Sequence, residues 1–218
     1  MKKEKYRMLW QASVTLGAFL LWTLLVCTVD VQPVGPRATA VGFAAVNGFV
    51  HCLTGVDMWL YVITDWLSLI PLAIAAGFTV LGLQQWVRRK RIRRVDPDIL
   101  ILGGFYLTVM AVYIFFEHAV INYRPVLIEG NLEASYPSST TVLAMCVMMT
   151  AVLQLRHRIC HPWLNRAVTF GATIFGVGMV LGRLLSGVHW VTDIVGGILL
   201  SAGLVKLYCF VCSLLRKE

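Results

Sequence analysis

The sequence predicts an all-α, polytopic membrane protein of six transmembrane helices with an additional short interfacial helix, and three observations predict it. Of the 218 residues, 58% are apolar and only 14% are charged. A water-soluble domain is about 25% charged, because its outer layer must be solvated. The mean hydropathy is +0.76. The apolar residues also fall in long windows, each near the roughly 20 residues that carry a helix across a hydrocarbon core about 30 Å thick. The same composition excludes a disordered, fibrous or disulfide-framed chain. With no internal repeat and no low-complexity linker, residues 1–218 read as one domain.

The first window, residues 9–29, follows Lys2, Lys3, Lys5 and Arg7. This basic start and Ala38-Thr39-Ala40 imitate a secretory signal and its cleavage site. The apolar stretch is too long and ends too far before that alanine, so it reads as an uncleaved anchor. Val41 to Leu53 is apolar but short and holds Asn47 and His51, which suits an interfacial or re-entrant helix. The second window, 58–86, begins after Asp57 and contains Asp65 and Pro71; its length and its proline predict a tilted or kinked span. The remaining windows are 99–121, 138–155, 167–186 and 190–213.

The net charge of +8 would suggest nucleic acid in a soluble protein, but here it is a topology signal. With the N-terminus inside, sixteen of the 19 Lys and Arg residues fall in cytoplasmic segments: at the start, in Arg88 to Arg94, at Arg156, Arg158 and Arg166, and at Lys206, Arg216 and Lys217. Only Arg37, Arg124 and Arg183 are left outside. Both termini are therefore expected in the cytoplasm of a cell-membrane protein, and no nucleic-acid partner is expected. The six cysteines have no framework spacing and read as packing thiols; the CxxC of Cys209 and Cys212 lacks a second pair of ligands.

Two outside arginines sit beside polar clusters. The third window ends in Glu117-His118-Ala119-Val120-Ile121-Asn122-Tyr123-Arg124-Pro125. The fourth starts at Tyr136-Pro137-Ser138-Ser139-Thr140-Thr141, and the turn into the sixth holds Arg183, Ser186, His189 and Asp193. Guanidiniums hold phosphate oxygens in fork geometry, and hydroxyl and amide donors at a helix start add to them. His189 and Asp193, four residues apart, share a helical face. A carboxylate there can fix the imidazole tautomer and leave the other nitrogen free to attack phosphorus; the same pair can equally be a helix cap.

Together these stretches resemble the type 2 phosphatidic acid phosphatase (PAP2) superfamily of membrane lipid phosphatases. The family pattern is Lys, six residues, Arg-Pro; then Pro-Ser-Gly-His; then Ser-Arg, five residues, His, three residues, Asp. Arg124-Pro125, Pro137-Ser138, and Arg183, His189 and Asp193 match it with the third block's spacings kept, and the resemblance covers about residues 117–200. It implies that His189 is the nucleophile, that Asp193 orients it, and that Arg124, Arg183 and Ser138 bind phosphate, with Ser139 and Thr140 beside them. It implies no metal or organic cofactor, and a lipid phosphate as partner.

Three positions depart from the pattern: Glu117 replaces the Lys, Ser139-Thr140 replace Gly-His, and Gly182 replaces the Ser before Arg183. The family's lost His protonates the leaving oxygen, and losing such an acid costs about 10²- to 10⁴-fold. Either His118 takes over, or the leaving group is a phosphate that needs no proton. Glu117 is expected to pair with Arg124 or Arg183, or else to attract an ammonium-bearing headgroup. Asp65 and Glu117, ionisable and inside spans, are site candidates on that ground. The leading expectation is an outer-face phosphatase acting on an isoprenoid or glycerolipid phosphate or diphosphate through a phosphohistidine. The alternatives are a headgroup transferase using the same histidine and a non-catalytic lipid-phosphate binder.

Overall fold

The computed structural model describes residues 2–156 and 158–215. The apolar windows form helices whose ends are set by local chemistry. α1 is Lys2–Thr28, α2 Ala44–Thr54, α3 Met58–Leu67, α4 Leu69–Arg89, α5 Pro97–His118, α6 Ser139–Arg156, α7 Pro162–Leu185 and α8 Val191–Leu215. Pro97 and Pro162 open α5 and α7, where a missing N–H costs no hydrogen bond. Asp57 caps α3 by accepting from the Leu60 N–H at 3.0 Å. Lys90 ends α4 in the left-handed conformation, its N–H donating to the Trp86 carbonyl.

Among the described residues, six stretches are long and apolar enough to cross a membrane: α1, α3 with α4, α5, α6, α7 and α8. The second of these is broken at Ser68. Pro71 has no N–H for the Leu67 carbonyl, and its ring crowds that carbonyl, so the helix interrupts there. The chain compensates through Ser68, whose N–H and hydroxyl both reach the Asp65 carbonyl. Asp65 therefore sits on the last turn before a kink. The segment expected at Val41 to Leu53 is the short helix α2, with Val46, Phe49 and Leu53 exposed and Asn47 buried against Thr192.

α1 runs antiparallel along α8. A Cβ on Gly203 would come within 2.6 Å of Leu16, and the Trp22 indole N–H donates to the Thr192 carbonyl at 3.1 Å. These contacts put the α1 start and the α8 end together at one end of the bundle. That end also carries Arg89 to Arg94 and the ion pair of Arg158 with Asp98 at 2.7 Å. Lys206, counted by sequence with the cytoplasmic charge, lies in the C-terminal half of α8, toward this same end. α6 is the most enclosed span, packed between α7 and α8. The core around it includes Phe19, Val142, Cys146 and Leu200, and Tyr136 stacks on Phe19 and hydrogen-bonds Thr23 at 2.7 Å.

At the opposite end, the loop from α5 to α6 folds back on itself. Arg124 N–H donates to the Glu133 carbonyl and Ser135 N–H to the Asn122 carbonyl, around a turn whose central residues Glu129 and Gly130 both have positive φ. Arg37, the third arginine expected outside, donates to the Gly130 carbonyl at 3.0 Å and holds the tip.

Candidate active site

The turn between α7 and α8 is the foundation of the site. α7 ends at Leu185, and Gly187 follows in the left-handed conformation at φ 66°. No other residue suits this position, because a Cβ would lie 1.8 Å from the Gly55 carbonyl oxygen. The Ser186 carbonyl then accepts from the Asp57 N–H at 3.0 Å, which fastens the start of α3 to the turn. The chain is thereby redirected so that Val188, His189 and Trp190 are buried at the head of α8.

Asp193 both caps this helix and faces His189. One carboxylate oxygen accepts from the Trp190 backbone N–H at 2.9 Å, and the other accepts from the Asn122 side-chain amide at 3.1 Å. The His189 Nδ1 lies 3.7 Å from the first of these oxygens. On the far side of the ring, Nε2 is 3.5 Å from Arg124 Nη1. Burial, reinforced by the Arg124 and Arg183 guanidiniums and opposed by Asp193, pushes the imidazole down to about 4. His189 is thus neutral at physiological pH, with its outward nitrogen turned toward a guanidinium.

Both arginines are held by carboxylates. Arg124 Nε lies 3.0 Å from Glu133 across the folded loop, and Arg183 Nη2 donates to Asp65 at 2.8 Å. The same Nη2 is 2.7 Å from the Thr140 hydroxyl. Tyr61 brings the two cations together, its ring lying 5.7 Å from the Arg124 and 4.9 Å from the Arg183 guanidinium carbon. Arg183 is 1% exposed, yet its Nε and Nη1 have no hydrogen-bond partner among the described residues. The buried Ser138 hydroxyl has none either, although the Ser138 N–H bonds the Asp193 carbonyl at 3.1 Å. Buried donors left unsatisfied at a helix start, beside two guanidiniums, are what an anion of phosphate size requires.

Six of the residues expected from sequence are connected in this way: Arg124, Ser138, Thr140, Arg183, His189 and Asp193. Ser139 lines a cavity that opens beside them. His118 is not brought in; it is exposed at the end of α5, with Nδ1 2.9 Å from the Ile114 carbonyl of its own helix. Glu117 pairs with neither arginine, contrary to expectation, because Glu133 and Asp65 occupy them; it interacts with the Tyr113 phenol at the cavity rim. Sequence reasoning did not assign Tyr61, Asn122 or Glu133 to the site, and it gave Asp65 no partner. Tyr61 had a usable signal, one helical turn before Asp65, whereas Glu133 depends on the folded loop.

The profile of the PAP2 superfamily matches residues 65–215. The chain belongs to the PAP2 superfamily. Its matched region runs from Asp65 through α8 and so contains every expected site residue of this PAP2 protein. Among solved structures it is similar to the first transmembrane PAP2-type phosphatidylglycerolphosphate phosphatase from Bacillus subtilis. The identity is 17% and the TM-score 0.65, with 95% of this chain and 98% of that one covered. The likeness shows a shared transmembrane fold. No curated protein matches the chain.

Proposed function

We propose that this PAP2 protein is a membrane lipid phosphatase that hydrolyses an isoprenoid or glycerolipid phosphate or diphosphate through a phosphohistidine on His189. The observation that carries the reading is the pairing of a neutral imidazole nitrogen, aimed at Arg124, with buried Arg183 and Ser138 donors that have no hydrogen-bond partner among the described residues. Arg124, Arg183 and Ser138 hold the phosphoryl oxygens, and Asp193 stabilises the imidazole as it gains positive charge. Nε2 attacks phosphorus in line with the departing oxygen, and water then cleaves the P–N bond.

A cavity of about 430 Å³ supports a lipid substrate. It runs from Asp65, Ser139 and Thr140 at the polar end to Val109, Val147 and Leu200 in the bundle, a length of apolar wall suited to a hydrocarbon tail. The separation of the α1 start, the α8 end and the basic run Arg89 to Arg94 from the histidine supports cytoplasmic termini and an outer-face site in the cell membrane. The Bacillus subtilis protein is named for a glycerolipid phosphate, which fits this substrate class.

The test is phosphate release from lipid mono- and diphosphates by the detergent-purified protein. His189→Ala should abolish it, and undiminished release by that variant would overturn the nucleophile assignment. Glu117, free of both arginines at the rim, favours a headgroup transferase as the second reading. Labelled zwitterionic phospholipid separates the two, since a hydrolase frees the headgroup and a transferase makes a new lipid.

A further inference from the structure

The site lacks the family's acid at position 140, and the phosphatase reading demands a proton for the leaving oxygen of an ordinary phosphomonoester. In-line displacement puts that oxygen opposite His189, on the side where the tail enters the cavity. The acid must therefore be a cavity-lining group next to the phosphate donors. Asp65 and Glu117 are the cavity-lining carboxyls among the described residues. Glu117 touches Tyr113 and no phosphate donor, whereas an Asp65 oxygen lies 2.8 Å from Arg183 Nη2. That nitrogen is the one 2.7 Å from Thr140, so Asp65 reaches the space beside the residue that replaces the family's histidine.

A second departure points the same way. Gly182 stands where the family has serine, and a Cβ there would lie 2.6 Å from Thr64 Cγ2. Its absence lets α3 approach α7 closely enough for Asp65, adjacent to Thr64, to meet Arg183. The kink at Ser68 and the 61% exposure of the Asp65 side chain leave the carboxyl free to turn toward the cavity.

Resting on the phosphatase reading, we infer that Asp65 is the general acid and base of the reaction, the task that falls to the second-block histidine elsewhere in the family. Without substrate, Asp65 occupies Arg183. A phosphate monoanion displaces it, the guanidiniums stabilise the dianion, and the phosphate proton passes to the released carboxylate. Nε2 of His189 bonds phosphorus, the P–O bond to the lipid breaks, and the Asp65 proton goes to the leaving oxygen to give the alcohol. Water then attacks the phosphohistidine and gives its proton to Asp65; the P–N bond breaks, phosphate leaves with that proton, and Asp65 returns to Arg183.

The experiment compares dodecyl phosphate, whose alkoxide must be protonated, with p-nitrophenyl phosphate, whose phenolate leaves unaided, for the unmutated protein, Asp65→Asn, Asp65→Asn with Thr140→His, and His189→Ala. Asp65→Asn should lose about 10²- to 10⁴-fold on dodecyl phosphate and at least about tenfold less on p-nitrophenyl phosphate. Adding Thr140→His should restore dodecyl phosphate turnover. Equal losses on both substrates would make Asp65 only a positioning partner of Arg183 and overturn the inference, as would no loss. If neither substrate is turned over by the unmutated protein, the phosphatase reading itself fails, and the inference with it. A phosphate ester series on the unmutated protein covers a misfolded Asp65→Asn: rates that fall only shallowly with leaving-group basicity support the acid, and a steep fall overturns it.

Discussion

Restoring the family's serine at position 182 should damage this protein. The Gly182 Cβ position is 2.6 Å from Thr64 Cγ2, well inside contact distance, while its next neighbours, Leu60 Cδ1 and Thr64 Cβ, are at 3.9 and 4.0 Å. Thr64 is β-branched, and its hydroxyl bonds the Leu60 and Tyr61 carbonyls at 2.9 Å, so it does not rotate away without losing both. The clash must then be relieved by moving α3 from α7, at about 1–3 kcal/mol, the usual range for overpacking. Thr64→Ala deletes the offending methyl and leaves only ordinary contacts near 4 Å. Gly182→Ser should therefore be costly in the native background and nearly neutral beside Thr64→Ala, a coupling energy within the 0.5–3 kcal/mol range of contacting pairs. Equilibrium unfolding in mixed micelles measures the four corners of the cycle. Dodecyl phosphate turnover should fall with Gly182→Ser and recover in the double variant, because the displaced helix carries Asp65. Equal destabilisation by Gly182→Ser in both backgrounds would refute the close approach as the reason for this glycine.

Further outcomes follow from the site and the cavity. The His189 imidazole should titrate near 4 rather than 6.5 in nitrogen NMR, and Arg124→Gln should raise that midpoint by removing a facing cation; a midpoint near 6.5 in the unmutated protein would contradict the buried neutral ring. Because the unfolded chain binds this proton first, the stability tied to His189 is fully present above pH 6.5 and is lost as pH falls toward about 4. Val147→Phe, which fills the buried end of the cavity, should raise KM for long-chain phosphates about tenfold or more relative to butyl phosphate. An equal effect on both chain lengths, seen in Michaelis–Menten kinetics, would remove the tail from that cavity.

The span pattern was legible because the bilayer imposes a length and a polarity on every crossing, independently of how crossings pack. Even the break of the second span was legible in Pro71, although its position at Ser68 reflects the carbonyl four residues back. The third motif block was legible because Arg183 at the end of α7, His189 in the turn and Asp193 at the start of α8 follow one another closely in the chain, so their spacing is local. The partners of the two arginines were not. Arg124 finds Glu133 through a loop that folds back at Glu129 and Gly130 and is closed by backbone hydrogen bonds, and Arg183 finds Asp65 across 118 residues of chain. His118 was a reasonable candidate by neighbourhood alone, but the helix phase at the end of α5 turns it back to Ile114.

Composition and the lengths of the apolar windows thus specify a six-span membrane protein, and the spacing of the motif blocks carries the resemblance to its family, since both are set within short stretches of chain or by the solvent. Tertiary packing decided the electrostatic state of the site. Gly182 lets α3 lie against α7, and that contact puts a carboxylate on the buried arginine. No spacing rule encodes it, because it depends on one missing Cβ between helices far apart in sequence.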